Sequence, residues 1–471
     1  MVREGEHMKK IVVIGGGVGG YVAAIRAAQL GAEVTLIEKQ HIGGTCLNEG
    51  CIPTKVLLHT GELYSELLIG EEYGIKINGE ASIDWEKLQQ RKAKVVSQLV
   101  GGVKVLLQYN KVNVISGEAT LNTKNSVIVT KQNGEKETIE GDNIIIATGS
   151  EPFIPPIPGA QSKGVIDSTG ALNLDKIPKS MTIIGGGVIG IEFAYLYSTL
   201  GTKVNIVEMM PEILPRIDGE IVALMRMLLE NKNIKIFTNA KVTSINEDKD
   251  NLNIEVETEK DKIVLTSEKV LLSVGRKARI EGLNLEGVGI KTEKNLISVN
   301  QKMETNIPGI YAIGDVSGKT MLAHVASEQG VIAAENIMGI NSNMDYKVVP
   351  SCIYTKPEIA SVGMTEQEVK EKKIAYKTGK FPLSGNGKSI IANETEGFVK
   401  IISDEKYGEI LGVHMIGPRA TELIAEAALA IKLEATVDEI IATIHAHPTV
   451  SESIKESALS VNKIAIHNIN K

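Results

Sequence analysis

Two stretches of the chain, Lys10 to Glu38 and Ser180 to Glu208, repeat one succession of apolar and polar positions without a gap. Each opens on a short apolar run, Ile11-Val12-Val13-Ile14 or Met181-Thr182-Ile183-Ile184, that predicts a strand. Glycines follow in the order G-x-G-x-x-G. A helical period of apolar residues comes next, stopped by Gly31 in the first copy and Gly201 in the second. A second apolar run then ends on an acid, Glu38 or Glu208. The pattern predicts two strand–turn–helix–strand units of one build.

Each glycine has a physical reason. The first (Gly15, Gly185) makes a tight turn, the second (Gly17, Gly187) lets a pyrophosphate approach the backbone, and the third (Gly20, Gly190) lets helix and strand pack closely. Free N–H groups at the start of the helix would bind the phosphates. The terminal acids stand where a carboxylate accepts from ribose hydroxyls. One such glycine pattern could be an ordinary turn. Two copies with matching strand, helix stop and acid predict two dinucleotide sites. A carboxylate at Glu208 repels a 2′-phosphate, so the second site should prefer NAD over NADP.

The α/β rhythm continues between and after the copies. Ile144 to Gly149 reads as a buried strand running into a small-residue turn, and the proline-rich stretch Glu151 to Gly159 as a crossover. Strand-rich polar sequence extends from about Val242 to Val274, followed by Gly275 and Arg276, and Ile310 to Asp315 forms another strand ending in an acid. After about Val348 the texture becomes mixed α+β. The expected fold class is α/β, with two Rossmann-like units, a central region and a C-terminal α+β region.

Composition narrows the class further. The chain has 471 residues, 43% of them hydrophobic, and a net charge of −7. It has no basic run of nucleic-acid type. The apolar stretch from Ile11 to Leu30 is broken by glycines and carries Arg26 and Gln29, which argues against a membrane span or signal peptide. Residues 1–7 read as a dispensable polar extension, with Met8 a possible alternative start. A cytoplasmic location is the default expectation.

Two of the three cysteines, Cys46 and Cys51, lie in Gly43-Gly44-Thr45-Cys46-Leu47-Asn48-Glu49-Gly50-Cys51-Ile52-Pro53-Thr54-Lys55, just after the first unit. In an ideal helix, positions i and i+5 are roughly 8.5 Å apart between Cα atoms. A disulfide needs about 4.4–6.8 Å. A bridge therefore requires a bend, which Asn48 and Gly50 permit. Pro53 suits the opening turn of a helix, and Cys51 near that positive end is favoured as a thiolate. A small structural bridge or half of a metal site are the alternatives, although His41 and His59 are single and no second ligand pair lies nearby. Redox chemistry is the preferred reading, with no metal. The third cysteine, Cys352, is expected as a buried small hydrophobe in a strand from Ser351 to Tyr354.

Near the C-terminus, His445-Ala446-His447-Pro448-Thr449-Val450-Ser451-Glu452 offers proton chemistry near neutral pH. Pro448 breaks the chain, so Glu452 could bond His447 and fix its tautomer. Loop histidines without a role, or a metal pair at i, i+2, remain equally open from spacing alone.

GGTCLNEGCIPTK, both fingerprints, IIIATGS, GIYAIGDV, MLAHVA and HAHPTVSE together resemble the flavin-dependent disulfide oxidoreductases (the class I pyridine nucleotide-disulfide oxidoreductases), over essentially the whole chain from about Lys9. The resemblance implies an FAD-binding domain at 1–150, an NAD-binding domain at 151–276, a central domain at 277–347 completing the FAD site, and an interface domain at 348–471. It places FAD against Gly15, Gly17, Gly20, Glu38, Thr45, Lys55, Gly117, Gly149, Asp315 (at the ribityl chain) and Ala323 (at the pyrimidine end). NAD would lie against Gly185, Gly187, Gly190, Glu208, Val242 and Gly275. Lys55 would stand beside flavin N5, paired with Glu192. His447 would be the base with Glu452 its partner, contributed across a homodimer, which leaves His445 the less favoured of the two. His324 fits the flavin-facing turn without an acid–base assignment.

The implied reaction oxidises dihydrolipoamide to lipoamide and reduces NAD⁺, with Cys46 as the sulfur attacked by substrate and Cys51 nearer the flavin. The implied partner is a lipoyl-bearing protein of a 2-oxo acid dehydrogenase or glycine cleavage complex. A glutathione-reducing relative would use NADPH, with alanine closing the second fingerprint and arginines near 208; here Gly190, Glu208, Met209 and Met210 stand there. A mercury-reducing relative would add a C-terminal cysteine pair, and no cysteine follows Cys352. A role chiefly as an assembly subunit is the reading from another class. The run Arg276-Lys277-Ala278-Arg279 departs from the family, where proline and asparagine often follow.

Overall fold

The computed structural model describes residues 8–470, so the extension read at residues 1–7 lies outside the described residues. Lys10–Ile14 is the middle strand of a five-stranded parallel sheet. The order is Ile310–Ala312, Asn143–Ile146, Lys10–Ile14, Glu33–Glu38, Asn113–Ser116. Its central strands are buried on both faces, which is why they read as continuous aliphatic runs.

The second copy builds the same sheet: Val165–Ile166, Lys269–Leu272, Ser180–Ile184, Lys203–Val207, Lys235–Phe237, again all parallel. The repeat extends beyond the stretch visible in sequence. Each unit carries a three-stranded antiparallel sheet before its returning strand, Glu118–Thr123 to Lys136–Glu140 in the first and Lys241–Asp248 to Lys262–Ser267 in the second. Gly31 and Gly201 sit just past helices Val18–Gln29 and Val188–Thr199 at φ 97° and 92°, the left-handed geometry that ends a helix.

Residues 277–347 do not stand apart from the first unit. Ile310–Ala312 is an edge strand of its sheet, and helix Ala323–Ile337 packs on helix Val18–Gln29. The approach is close: a Cβ on Gly330 would lie 2.5 Å from the Gly19 carbonyl oxygen.

The C-terminal region is a five-stranded antiparallel sheet in the order Ser351–Ile353, Glu358–Gly363, Ile410–Gly417, Phe398–Asp404, Tyr376–Pro382. Helices Ala420–Lys432 and Glu452–Val461 pack on it. Ile353, Ile359, Phe398 and Ile416 share an apolar cluster with Phe193 and Tyr197 of the second unit. At that junction buried Lys400 bonds both carboxylate oxygens of buried Asp218 at 3.1 Å and Glu366 at 2.5 Å. Among the described residues no helix is long and apolar enough to cross a membrane.

Candidate active site

Both glycine turns have the shape their residues demand. A Cβ on Gly20 would lie 1.8 Å from the Gly15 carbonyl oxygen, and one on Gly190 2.1 Å from that of Gly185, so helix and turn meet with no room for a side chain. Gly15 and Gly185 have φ of 104° and 107°. At the middle positions the surroundings are open. Gly187 has nothing within 4 Å of a built Cβ, and Gly17 only the Gly44 Cα at 3.9 Å. Neither following helix carries a side-chain cap, so its first N–H groups stay available to an anion. These cradles fit the diphosphates of FAD and NAD.

The terminal acids fold back identically. Glu38 Oε2 accepts from the Gly16 N–H and Glu208 Oε2 from the Gly186 N–H, each at 2.6 Å. Glu38 Oε1 also accepts from Gln40, and Glu208 Oε1 from Met210. Each carboxylate is thereby fixed at the rim of its glycine turn. Gly117 donates its N–H to the Glu38 carbonyl, and a Cβ there would lie 2.6 Å from Val129.

The cysteine segment is fastened to the first cradle. The Gly43 N–H donates to the Gly16 carbonyl at 2.8 Å, and a Cβ on Gly44 would lie 2.6 Å from Gly17 Cα. Gly44–Glu49, which carries Thr45 and Cys46, is one short helix; Cys51–Leu68 is the next. The break falls at Gly50, whose built Cβ would be 3.5 Å from Cys46 Cα. Asn48, expected to share the bend, lies inside the first helix instead, and its amide pins the Ile42 and Gly44 carbonyls. Pro53 stands in the first turn of the second helix.

Both cysteines are free thiols in this structure and bond each other. The Cys46 thiol donates to Cys51, which holds Cys51 down to about 7; Lys55 adds to the effect against the opposing pull of burial. The same bond, burial and the Cys51 charge push Cys46 far up. In the reduced pair Cys51 therefore gives up its proton well before Cys46. Lys55, one turn after Cys51, reaches both oxygens of buried Glu192 at 2.9 Å. Glu192 also accepts the Tyr354 N–H at 3.0 Å, and Lys55 Nζ lies 4.5 Å from the Tyr354 ring centroid.

Asp315 sits in the turn Gly314–Ser317 at the carboxyl end of Ile310–Ala312, where it accepts from the Ser150 hydroxyl. Ala323 opens helix Ala323–Ile337. His324, beside it, bonds the Pro350 carbonyl at 3.0 Å, and burial pushes its pKa down. Gly149 (φ 70°) and Gly275 (φ 123°) both have open space around them. Val242 is buried in the strand Lys241–Asp248, its side chain in an apolar cluster with Ala240 and Ile254.

His447 Nδ1 lies 2.9 Å from Glu452 Oε1, and Glu452 Oε2 accepts the Thr449 N–H. Burial opposes it, but those two bonds hold the Glu452 carboxyl below its usual range. The His447 side chain is 78% exposed, and among the described residues its bonds run to Glu452 and not to the cysteines.

Sequence reasoning missed several partners. His445 is enclosed and bonds Glu426 on helix Ala420–Lys432 at 2.8 Å. Tyr354 supports Glu192, and Arg276 bonds Ser150. The motif IIIATGS contains Ser150 and the unusual run after Gly275 begins with Arg276; nothing local pointed at the bonds of Glu426 or Tyr354. Cys352 is only partly buried, in the strand Ser351–Ile353, and burial raises its pKa to about 11.

The sequence profile described as pyridine nucleotide-disulphide oxidoreductase matches residues 9–330, and that of the same family's dimerisation domain matches residues 349–458. A dihydrolipoyl dehydrogenase of Bacillus subtilis is 44% identical over 97% of this chain and 98% of its own length. One from Thermus scotoductus is 44% identical over 98% of this chain and 99% of its own. Among solved structures, LpdA from Mycobacterium tuberculosis superposes with a TM-score of 0.90 at 29% identity, covering 96% of this chain and 99% of LpdA. The chain therefore belongs to the pyridine nucleotide-disulphide oxidoreductases, the FAD-dependent enzymes that exchange electrons between a disulfide and a nicotinamide nucleotide.

Proposed function

We propose that the protein is a homodimeric dihydrolipoyl dehydrogenase that oxidises protein-bound dihydrolipoamide and reduces NAD⁺ to NADH. The observation that carries it is the Cys46 and Cys51 pair, set on two helices that break at Gly50 and fastened to the first glycine cradle, with Lys55 and Glu192 beside it. Glu208 supports NAD over NADP, because a carboxylate at that rim repels a 2′-phosphate.

In this reading FAD occupies the cradle of 1–150 completed by 277–347, NAD lies on 151–276, and 348–471 forms the dimer face. Bound FAD supplies the two-electron carrier between the cysteine pair and nicotinamide. The protein's residues do the sulfur and proton chemistry. His447 of the partner subunit, held by Glu452, takes a proton from one substrate thiol. The resulting thiolate attacks Cys46 Sγ, the Cys46–Cys51 bond breaks, and Cys51 leaves as a thiolate. Its lowered pKa makes it the better leaving sulfur. The second substrate thiol then displaces Cys46 from the mixed disulfide, releasing lipoamide, and its proton goes to Cys46. Two electrons have reached the cysteine pair, one proton rests on Cys46 and one on His447.

The substrate arm belongs to a lipoyl-bearing protein of a 2-oxo acid dehydrogenase or glycine cleavage complex, in the cytoplasm. Steady-state rates with dihydrolipoamide and NAD⁺ test the reading. They should greatly exceed rates with NADP⁺, or with glutathione disulfide and NADPH. Preferred turnover of glutathione disulfide by NADPH would overturn it.

A further inference from the structure

We propose that Arg276 and Ser150 form a hydrogen-bond relay of fixed direction that aims Asp315 at the sugar-alcohol chain of bound FAD, making both of them positioning residues for flavin capture. The proposal rests on the flavoprotein reading above.

Its direction follows from donor and acceptor chemistry. Arg276 Nε lies 2.7 Å from Ser150 Oγ, and Nη2 lies 2.8 Å from the Ser150 carbonyl oxygen. A guanidinium only donates. The Ser150 hydroxyl must therefore accept from Arg276, which leaves its single proton to point the other way. It donates to Asp315 Oδ2 at 2.5 Å. Ser150 is buried, so water does not compete for that proton. The guanidinium stands a further step away, with Nε 4.0 Å from Asp315 Oδ2.

One carboxylate oxygen of Asp315 is thus committed to Ser150, and among the described residues Oδ1 has no bonding partner. Asp315 stands in the turn after Ile310–Ala312, at the carboxyl edge of the parallel sheet, where α/β sheets bind their ligands. A carboxylate clamped through one oxygen, with the other open, is a preset acceptor for a hydroxyl-bearing chain.

The run Arg276-Lys277-Ala278-Arg279, which departs from the family pattern, acquires a structural role. Arg276–Ala278 pairs antiparallel with Ser150–Pro152. Lys277 and Arg279 both hold Glu151, at 2.9 and 3.5 Å, which fixes this strand pair, while Arg276 turns to Ser150. Because Arg276 follows the last sheet strand of the second unit, the relay exists only where the two units meet.

The test uses full-length protein stripped of flavin and titrated separately with FAD and with ADP, which contains the adenosine diphosphate half alone. Ser150→Ala and Arg276→Met should each weaken FAD binding about tenfold, the scale of one charge-assisted hydrogen bond, and leave ADP within about twofold of wild type. Ser150→Thr, which keeps the hydroxyl, should restore FAD binding. Unchanged FAD affinity in both Ser150→Ala and Arg276→Met overturns the relay. Equal loss of FAD and ADP overturns it too, because that marks a general loss of structure. Wild-type protein that takes ADP but no FAD would overturn the flavoprotein reading itself, and the relay with it.

Discussion

Lys55 reaches across to Glu192 with both carboxylate oxygens at 2.9 Å, so the helix that carries Cys51 is bolted to the first helix of the second unit. Glu192 is buried and its charge is balanced there by Lys55 and the Tyr354 N–H. Replacing Lys55 by Met leaves that charge unpaired. Because Lys55 is itself partly exposed, the expected loss is about 2 kcal/mol, below the cost of breaking a fully buried pair. Urea unfolding of Lys55→Met checks it; a midpoint equal to wild type would contradict the structural importance of the pair.

The cysteine pair gives a pH prediction. Cys51 is lowered, so its thiolate is present above about pH 7 and lost as pH falls below it. The largest cause is the bond from Cys46. Cys46→Ala should therefore raise the Cys51 midpoint by about one unit or more. Ultraviolet thiolate absorbance of the reduced protein, followed against pH, reads this directly. A midpoint that stays near 7 in Cys46→Ala would show that Lys55 and the local backbone, and not Cys46, set it.

His447 is expected to act in thiol deprotonation, with Glu452 holding the ring. His447→Gln should lower kcat for dihydrolipoamide by about 10²–10⁴-fold while bound flavin is unchanged. Glu452→Gln should lower it less, and the double variant no more than His447→Gln, because paired residues act as one unit. Wild-type turnover in His447→Gln would remove the histidine from the mechanism.

Glu208 should set the choice of nucleotide. Glu208→Gln keeps a bond to the glycine turn but removes the charge that excludes a 2′-phosphate. The expected result is a fall in kcat/KM for NAD⁺ of about tenfold and a rise for NADP⁺. Unchanged selectivity would move discrimination elsewhere in the loop after residue 208.

Lys400 is the buried cation between Asp218 and Glu366. Lys400→Met should cost about 3–5 kcal/mol by stranding the carboxylates, and adding Asp218→Asn should recover part of it. Burial pushes Glu366 up, but bonds from Lys370, Lys400 and Tyr376 outweigh it and hold the carboxyl down to about 2. The stability this group contributes is complete above its ordinary value of 4.5 and lost as pH falls towards 2. Denaturant midpoints measured across that window should converge for wild type and Lys400→Met.

Both glycine turns and the cysteine segment were legible in sequence because local sterics dictate them: a Cβ at Gly20 collides with the turn five residues earlier whatever the rest of the chain does. Pairs set by sheet order were not. Lys55 and Glu192 are 137 positions apart, and only a family resemblance joined them. Lys400 and Asp218, 182 apart, and His445 and Glu426, on separate elements, gave no periodic signal at all. The bend at the cysteines was legible as a need. Its place was legible at Gly50 and not at Asn48, which had two carbonyls within reach and stayed helical.

Ile310–Ala312 completes a sheet whose other four strands end by Ile146. During synthesis the N-terminal half must therefore wait, one edge open, until the whole nucleotide unit after it has left the ribosome. In chain order the last strand of the second unit's sheet, Lys269–Leu272, is made before Ile310–Ala312, the strand that closes the first. Nascent chains arrested shortly before residue 310 should resist protease between 165 and 272 and be cut within the first 146 residues.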